Sequence, residues 1–445
     1  MISYDERRGI DSGQKRKFPP PTGVQEVSPD HGEIFEHLEK KPSSTKIIRI
    51  YGKARMNNPK TGVVILGGDF QALGAIRSLS ECGVPVVLVD DEPNIARFSR
   101  YPKKRIRISG LRDPRLFEKN LTALAESGDL KGWILLPNTD ELVMLLAKNR
   151  DILSQYFTIP VPPWPIARKY YYKDEAYALA EKISVPVPKI YRGRTVEEIL
   201  NQHPVFPLVL KPRAKERYYP QARKKAIKVN TLAEFREEHR AMASIIDPGE
   251  IVVQAFIPGG GKNLYSYAAF FDGQNIVAGM AANRLRQHPR EFGHATTYAV
   301  SVDIPELKVL AERLLREIGF FGIAEIEFMK DERDGVFKFI EINGRIWGWH
   351  TLAKAAGVNL PYLLYRHLTG RKIPPIRPKI GAKWVRLVTD VPTCIRDILD
   401  GHMTLKDYRR SMSGPKEFAV LSGKDPLPFF IELILIPYLW WKRGF

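Results

Sequence analysis

Glu327 and Glu341, with Asn343 and Arg345 close behind, are spaced to meet on one face of a two-stranded hairpin. Residues 322–329 and 336–343 each alternate apolar and polar side chains, and a turn-like run at 331–335 separates them. A turn centred near Asp334 sets Glu327 opposite Glu341, and the period of two puts Asn343 on the same face. Two carboxylates and an amide oxygen this close repel unless a cation stands among them. Hard oxygen donors suit Mg²⁺ shared with substrate phosphates. Solvated carboxylates on an exposed edge hairpin are the other reading of the same pattern.

Basic residues elsewhere could face such a cluster. The strand from Phe206 ends on Lys211, at the edge of a long basic loop, Arg213 to Lys228, that contains no glycine. Arg284, Arg286 and His288 follow the strand Asn275 to Gly279 in a polar segment. They read either as an anion clamp for a triphosphate or a substrate carboxylate, with Arg284 leading, or as an exposed basic loop.

The elements that must position these residues begin at Thr61. Gly62 to Leu66 reads as a buried strand, Phe70 to Cys82 as a helix and Val84 to Val89 as a second strand, a βαβ opening. Gly67, Gly68 and Gly74 approach a dinucleotide fingerprint without its spacing, and close helix–sheet packing explains them better. A later strand, Gly132 to Leu136, runs into Asn138 to Glu141. Ligands of open parallel sheets bind beyond such strand ends, although Thr139 or Asp140 would also serve as a helix cap. The proline-dense stretch Pro160 to Pro165 marks a domain boundary.

At 445 residues the chain is long enough for two or three domains, and its formal charge of +19 favours acidic partners. Two distant cysteines, Cys82 and Cys394, make neither a disulfide framework nor a Cys-rich metal site, which fits a reducing cytoplasm. No N-terminal apolar stretch suggests a signal peptide. No recognisable nucleic-acid module accompanies the charge, and no nucleic-acid partner is expected. Pro426 to Trp441 is apolar and precedes Lys442 and Arg443. It is too short and interrupted to span a bilayer, leaving a packed terminal helix or an interfacial membrane contact through 426–445.

Together, residues 61 to 371 resemble the ATP-grasp superfamily, in its carboxylate-amine ligase branch. The most specific part is Glu341 to Trp349, which is similar to the superfamily's E-x-N-x-R element, and Gly348 to His350 resembles one branch. The resemblance implies an α/β (α+β grasp) fold: an N-terminal Rossmann-like parallel-sheet domain, then a two-lobed ATP-grasp domain with antiparallel sheets. The expected layout is a mobile tail at 1–60, the Rossmann-like domain at 61–160, nucleotide lobes at about 161–250 and 251–371, and a C-terminal extension at 372–445.

The same resemblance implies ATP and Mg²⁺ (or Mn²⁺) as cofactors, with Glu327, Glu341 and Asn343 on the metal. It puts Arg345 at the transferring phosphoryl group or the acyl phosphate, and Lys173 and Lys211 on the nucleotide phosphates, with Arg284 beside them if the anion clamp is the right reading of its segment. Gln254, Ala255, Phe256 and Ile257 match the adenine hinge, and Asn263 the ribose. Glu325 would share the metal-facing side as a substrate contact. The implied activity is an ADP-forming ligase that activates a carboxylate as an acyl phosphate for capture by an amine. Small-molecule or envelope-precursor substrates are expected, in the cytoplasm or at the inner membrane face. The missing glycine loop motivates the alternative of a nucleotide-binding sensor or scaffold without turnover.

Overall fold

The computed structural model describes residues 61–290 and 295–443; the tail expected at 1–60 lies outside the described residues. A parallel sheet comes first: β1 (Val63–Leu66), β2 (Val86–Asp90), β3 (Lys104–Arg107) and β4 (Ile134–Pro137), in the order β3-β2-β1-β4. All of β1 is buried, as expected of a parallel strand covered on both faces. Helices α1 (Phe70–Ser80) and α2 (Asp140–Lys148) start just beyond the ends of β1 and β4. Asp69 caps α1 and Thr139 caps α2, each accepting a backbone N–H. Gly67 sits at φ +87°, and a Cβ there would fall 1.9 Å from Asn138 Oδ1. A Cβ on Gly74 would lie 2.7 Å from Thr351 Cγ2. These glycines serve close packing.

The second sheet is small and antiparallel. Helix α3 (Lys173–Lys182) precedes β5 (Ile190–Tyr191), β6 (Leu208–Pro212), β7 (Ile227–Val229) and β8 (Ile251–Ala255), ordered β5-β8-β6-β7. The segment expected to be a basic loop after Lys211 instead holds a short helix, α4 (Lys215–Ala222), which ends at Arg223 in the left-handed region, φ 56°. Its Tyr218 is buried in the small core with Leu210 and Phe235, which gives a polar sequence one apolar anchor.

The third sheet has seven strands: β9 (Leu264–Phe271), β10 (Ile276–His288), β11 (Ala295–Val302), β12 (Gly322–Lys330), β13 (Phe337–Asn343), β14 (Lys383–Val385) and β15 (Glu417–Phe418). Their order is β13-β12-β9-β10-β11-β14-β15, antiparallel except for the β14–β15 pair. The sheet therefore continues past residue 371 into the expected extension. The small sheet likewise takes in β8 and reaches Ala255.

Two further helices, α5 (Leu387–Leu399) and α6 (Leu427–Arg443), complete the C-terminal region. Among the described residues no helix is long and apolar enough to cross a membrane. One side of α6 packs on the protein through Phe429, Ile431 and Leu435, and its Glu432 pairs with Arg386 at 2.9 Å. Ahead of α6, Asp425 receives Arg77 Nε at 3.0 Å and Ser99 Oγ at 2.7 Å, all three buried. Removing one member of a buried pair leaves the other uncompensated. Arg77→Ala is therefore expected to lower stability by about 3–5 kcal/mol in urea unfolding, a loss that Arg77→Lys should partly restore.

Candidate active site

The β12–β13 register puts Glu327 opposite Glu341 and Glu325 opposite Asn343, as the alternation of side chains requires. Asn343 Nδ2 donates to Glu325 Oε2 at 3.2 Å and to Glu327 Oε1 at 3.1 Å. Its Oδ1 accepts from Arg345 Nη2 at 2.9 Å. Arg284 reaches across from β10 to Glu327 Oε2 at 2.5 Å and Glu325 Oε1 at 3.4 Å, and donates from Nε to Thr296. Glu325 is the deepest, accepting also from Ser266 Oγ and Trp349 Nε1. Burial and the Glu327 charge push its carboxyl up, to about 8.

Among the described residues no three His, Cys, Asp or Glu side chains form a metal cage on their own. The oxygens of Glu327, Glu341 and Asn343 suit a hard cation that takes its other ligands from phosphates and water. Glu341 is the most accessible of the three, with Lys173 Nζ at 3.2 Å from its Oε2. Burial disfavours its ionised form, but Lys173, Lys225, Lys211 and Lys215 outweigh that and hold its carboxyl below the ordinary range.

These lysines come from α3, β6, α4 and the segment before β7, so the small lobe supplies a wall of positive charge. Lys211 is buried at the end of β6, and desolvation pushes its ammonium down to about 8; burial does the same at Lys225. Asp140, the first residue of α2, receives Arg345 Nε at 2.6 Å, Arg345 Nη2 at 3.0 Å and Lys215 Nζ at 2.5 Å. Thr139 thus serves as the cap and Asp140 as a link from the first sheet to the site. All of these side chains line one cavity of about 810 Å³.

The end of β8 and the segment after it border the same cavity through Gln254, Phe256, Ile257 and Pro258. Ala255 is not part of the lining, and its N–H, like that of Phe256, is already bonded, to Lys189 O and Pro207 O respectively. Gln254 Oε1 accepts from Tyr177, whose hydroxyl also reaches Ile340 O on β13. Asn263 stands outside the lining, beneath Gly259. Arg284, Arg286 and His288 all belong to the single long strand β10, where a register shift separates them. Arg286 turns away from the cavity to a two-pronged pair with Asp390, both bonds 2.8 Å, whereas His288 stays in the lining.

Sequence reasoning singled out neither Lys215 nor Lys225, although both lie in the basic stretch it flagged. It also passed over Phe70, Trp347 and Arg386, all of which line the cavity. Arg386 follows β14, in a segment without any motif.

Residues 273–388 match the family described as ATP-grasp in the biosynthetic pathway with Ter operon. Among curated proteins, the D-aspartate ligase of Enterococcus faecium (strain Aus0004) is 27% identical over 300 residues, which cover 63% of this chain and 70% of that protein. Among solved structures, the biotin carboxylase domain of Hydrogenobacter thermophilus 2-oxoglutarate carboxylase, determined with MgADP and bicarbonate, is similar at a TM-score of 0.58 and 17% identity, covering 73% of this chain and 74% of that one. The L-amino acid ligase of Bacillus licheniformis is similar at 0.56 and 14%, covering 72% and 78%. Identities this low speak for the fold, and the fold is the grasp architecture expected from the sequence.

His350 closes the Trp347–His350 segment, buried, with Nδ1 donating to Trp347 O at 2.8 Å. Desolvation pushes its imidazole from 6.5 down to about 4, against the favourable Trp347 carbonyl and with a smaller push from Lys354. The unfolded chain therefore takes up this proton first as pH falls. The stabilising contribution is complete above about pH 6.5 and is lost as pH drops towards 4, by up to about 3 kcal/mol. Melting temperatures recorded from pH 7 to 4 should fall less steeply for His350→Gln than for the parent.

Proposed function

We propose that this chain, an ATP-grasp protein by its fold and its matched segment, is an ADP-forming ligase that joins a carboxylate to an amine. The observation that carries the reading is the meeting, in one cavity, of the Glu327/Glu341/Asn343 oxygens with Lys173, Lys211, Arg284 and Arg345. A sensor without turnover would need the lysines but not the buried carboxylates at that cost in mutual repulsion. The volume, about 810 Å³, suits a nucleotide with a second substrate beside it.

Glu327, Glu341 and Asn343 would hold Mg²⁺ or Mn²⁺, which would supply positive charge against the phosphates. Lys173 and Lys211 grip the phosphates, with Lys215 and Lys225 acting where a glycine loop would otherwise offer backbone amides. Arg345, oriented by Asp140, meets charge developing on the transferring phosphoryl group. A carboxylate oxygen attacks the γ-phosphorus and the bond to ADP breaks, giving an acyl phosphate. The amine then attacks the acyl carbon, phosphate leaves, and the amine proton passes to solvent. Gln254, Phe256 and Ile257 would border the purine, with Ala255 set back from the lining. The likeness to a D-aspartate ligase supports an amino acid as the carboxylate component.

The C-terminal region favours an acceptor met at an anionic membrane surface, as an envelope precursor would be. Helix α6 turns Phe430 and Ile434 outward at 57% and 71% exposure, and α5 does the same with Ile395 and Leu399 at 54% and 81%. A net charge of +19 complements such a surface.

Glu341→Gln should retain the parent's melting temperature and lose at least about a hundredfold in ADP release across carboxylate and amine pairs. A variant as active as the parent would refute the ligase mechanism. Phe430→Ser with Ile434→Ser should reduce co-sedimentation with phosphatidylglycerol vesicles while leaving phosphatidylcholine controls unchanged. Equal sedimentation of parent and variant would exclude the membrane contact.

A further inference from the structure

Tyr177 of α3 ties the small sheet to the large one at the cavity wall. Its hydroxyl lies 2.8 Å from Ile340 O on β13 and 3.1 Å from Gln254 Oε1 on β8. Ile340 and Gln254 both line the cavity. The Tyr177 ring is wholly buried and packs edge-on against Phe339, with centroids 5.9 Å apart, so the hydroxyl is held in place.

A hydroxyl has one proton, and this one faces two oxygens. Ile340 falls at the register shift of β13, between the pairs Glu327–Glu341 and Phe328–Phe339, with no residue opposite it on β12. Its carbonyl can only accept, and it is the nearer of the two. The proton therefore goes to Ile340 O, and the tyrosine oxygen is left needing a donor. Gln254 can supply one, because a half-turn of its amide exchanges the oxygen for NH₂ within the same shape. With its NH₂ on Tyr177, the amide oxygen is left for the cavity. The main chain beside it offers a base no donor at Ala255 or Phe256, whose N–H groups are bonded to Lys189 O and Pro207 O.

An amide oxygen at this wall calls for an N–H on the base. Adenine carries an amino group at its six position, whereas guanine and hypoxanthine carry an oxygen there, which would face the Gln254 oxygen with no proton between them. We infer that Tyr177 is a positioning residue for base selection: by taking the NH₂ of Gln254 it fixes the amide oxygen towards the purine and favours a 6-amino base over a 6-oxo one. Within the ligase reading, on which the placing of a purine here rests, Tyr177 thereby selects ATP over ITP and GTP.

Equilibrium binding reads this preference apart from turnover. The full chain with Mg²⁺ is titrated calorimetrically with adenylyl imidodiphosphate and with inosinyl imidodiphosphate, its 6-oxo counterpart. The parent should favour the adenylyl compound by about tenfold or more. Tyr177→Phe keeps the ring but frees the amide to turn its NH₂ to the cavity. Inosinyl affinity should then rise, a gain that damage to the fold does not produce, and the preference should shrink to within about threefold. Adding Gln254→Glu to Tyr177→Phe puts an oxygen on either side of the group and should bring the preference back. A parent without preference, a Tyr177→Phe variant whose inosinyl affinity does not rise, or a double variant as unselective as Tyr177→Phe would each overturn the inference. A chain that binds neither nucleotide would overturn it together with the assignment of ATP. Failure of the ligase reading alone looks different: the preference and its loss appear as expected, and ATP with carboxylate and amine yields no ADP.

Discussion

Carboxylates gathered in a buried cleft persist only while cations from elsewhere in the chain face them, and that demand governs how this protein is put together. Glu327 and Glu341 arise on neighbouring strands, yet the charges that balance them come from β10 and from the small lobe. Asp140 makes the complementary demand from the first sheet, met by Arg345 and Lys215. Each sheet thus contributes a charge that another must answer. Such pairs add little net stability, because desolvation offsets much of the attraction, but they penalise any arrangement in which one partner is missing.

The parts legible in the sequence were those whose signal is local. The β12–β13 hairpin is written in alternating residues with a glycine-containing turn, so the meeting of Glu327 and Glu341 could be read from it, although a register shift between Glu327 and Phe328, where Phe339 and Ile340 interrupt the alternation, could not. Lys211 ends a strand that is otherwise apolar, and its burial follows from that. The basic stretch after it reads as a loop because its apolar residues are few and show no helical period, and the packing of Tyr218 into the small core outweighs weak local preference. Arg286 and Arg284 look alike along the chain, and a register shift in β10, invisible to periodicity, sends one to Asp390 and the other to the carboxylates.

Contacts between distant segments were the least legible. Arg386 stands beside Phe70 because β14 joins the edge of β11 and carries the following residues back over α1, a consequence of sheet order that no motif announces. Asp140 posed a milder version of the same problem. Its place beyond a parallel strand marked it as near a ligand, but only the fold separates its task from the capping by Thr139.

The small lobe departs from a glycine-lined phosphate site in a way that bears on motion. Backbone amides in a loop can adapt to a phosphate after it arrives, whereas α4 presents Lys215 from a helix that is already anchored by Tyr218 and tied to Asp140. A phosphate that sought Lys215 would have to draw it from Asp140, an exchange of one anion for another.

The strand β14 has a consequence for anyone who handles this protein as modules. It pairs with β11 and in turn supports β15, so a cut at residue 371 would strip two strands from the seven-stranded sheet and leave β11 as a bare edge. Fusion boundaries, chimeras and minimal fragments therefore have to be drawn beyond Glu432, so that Arg77 keeps Asp425 and Arg386 keeps Glu432.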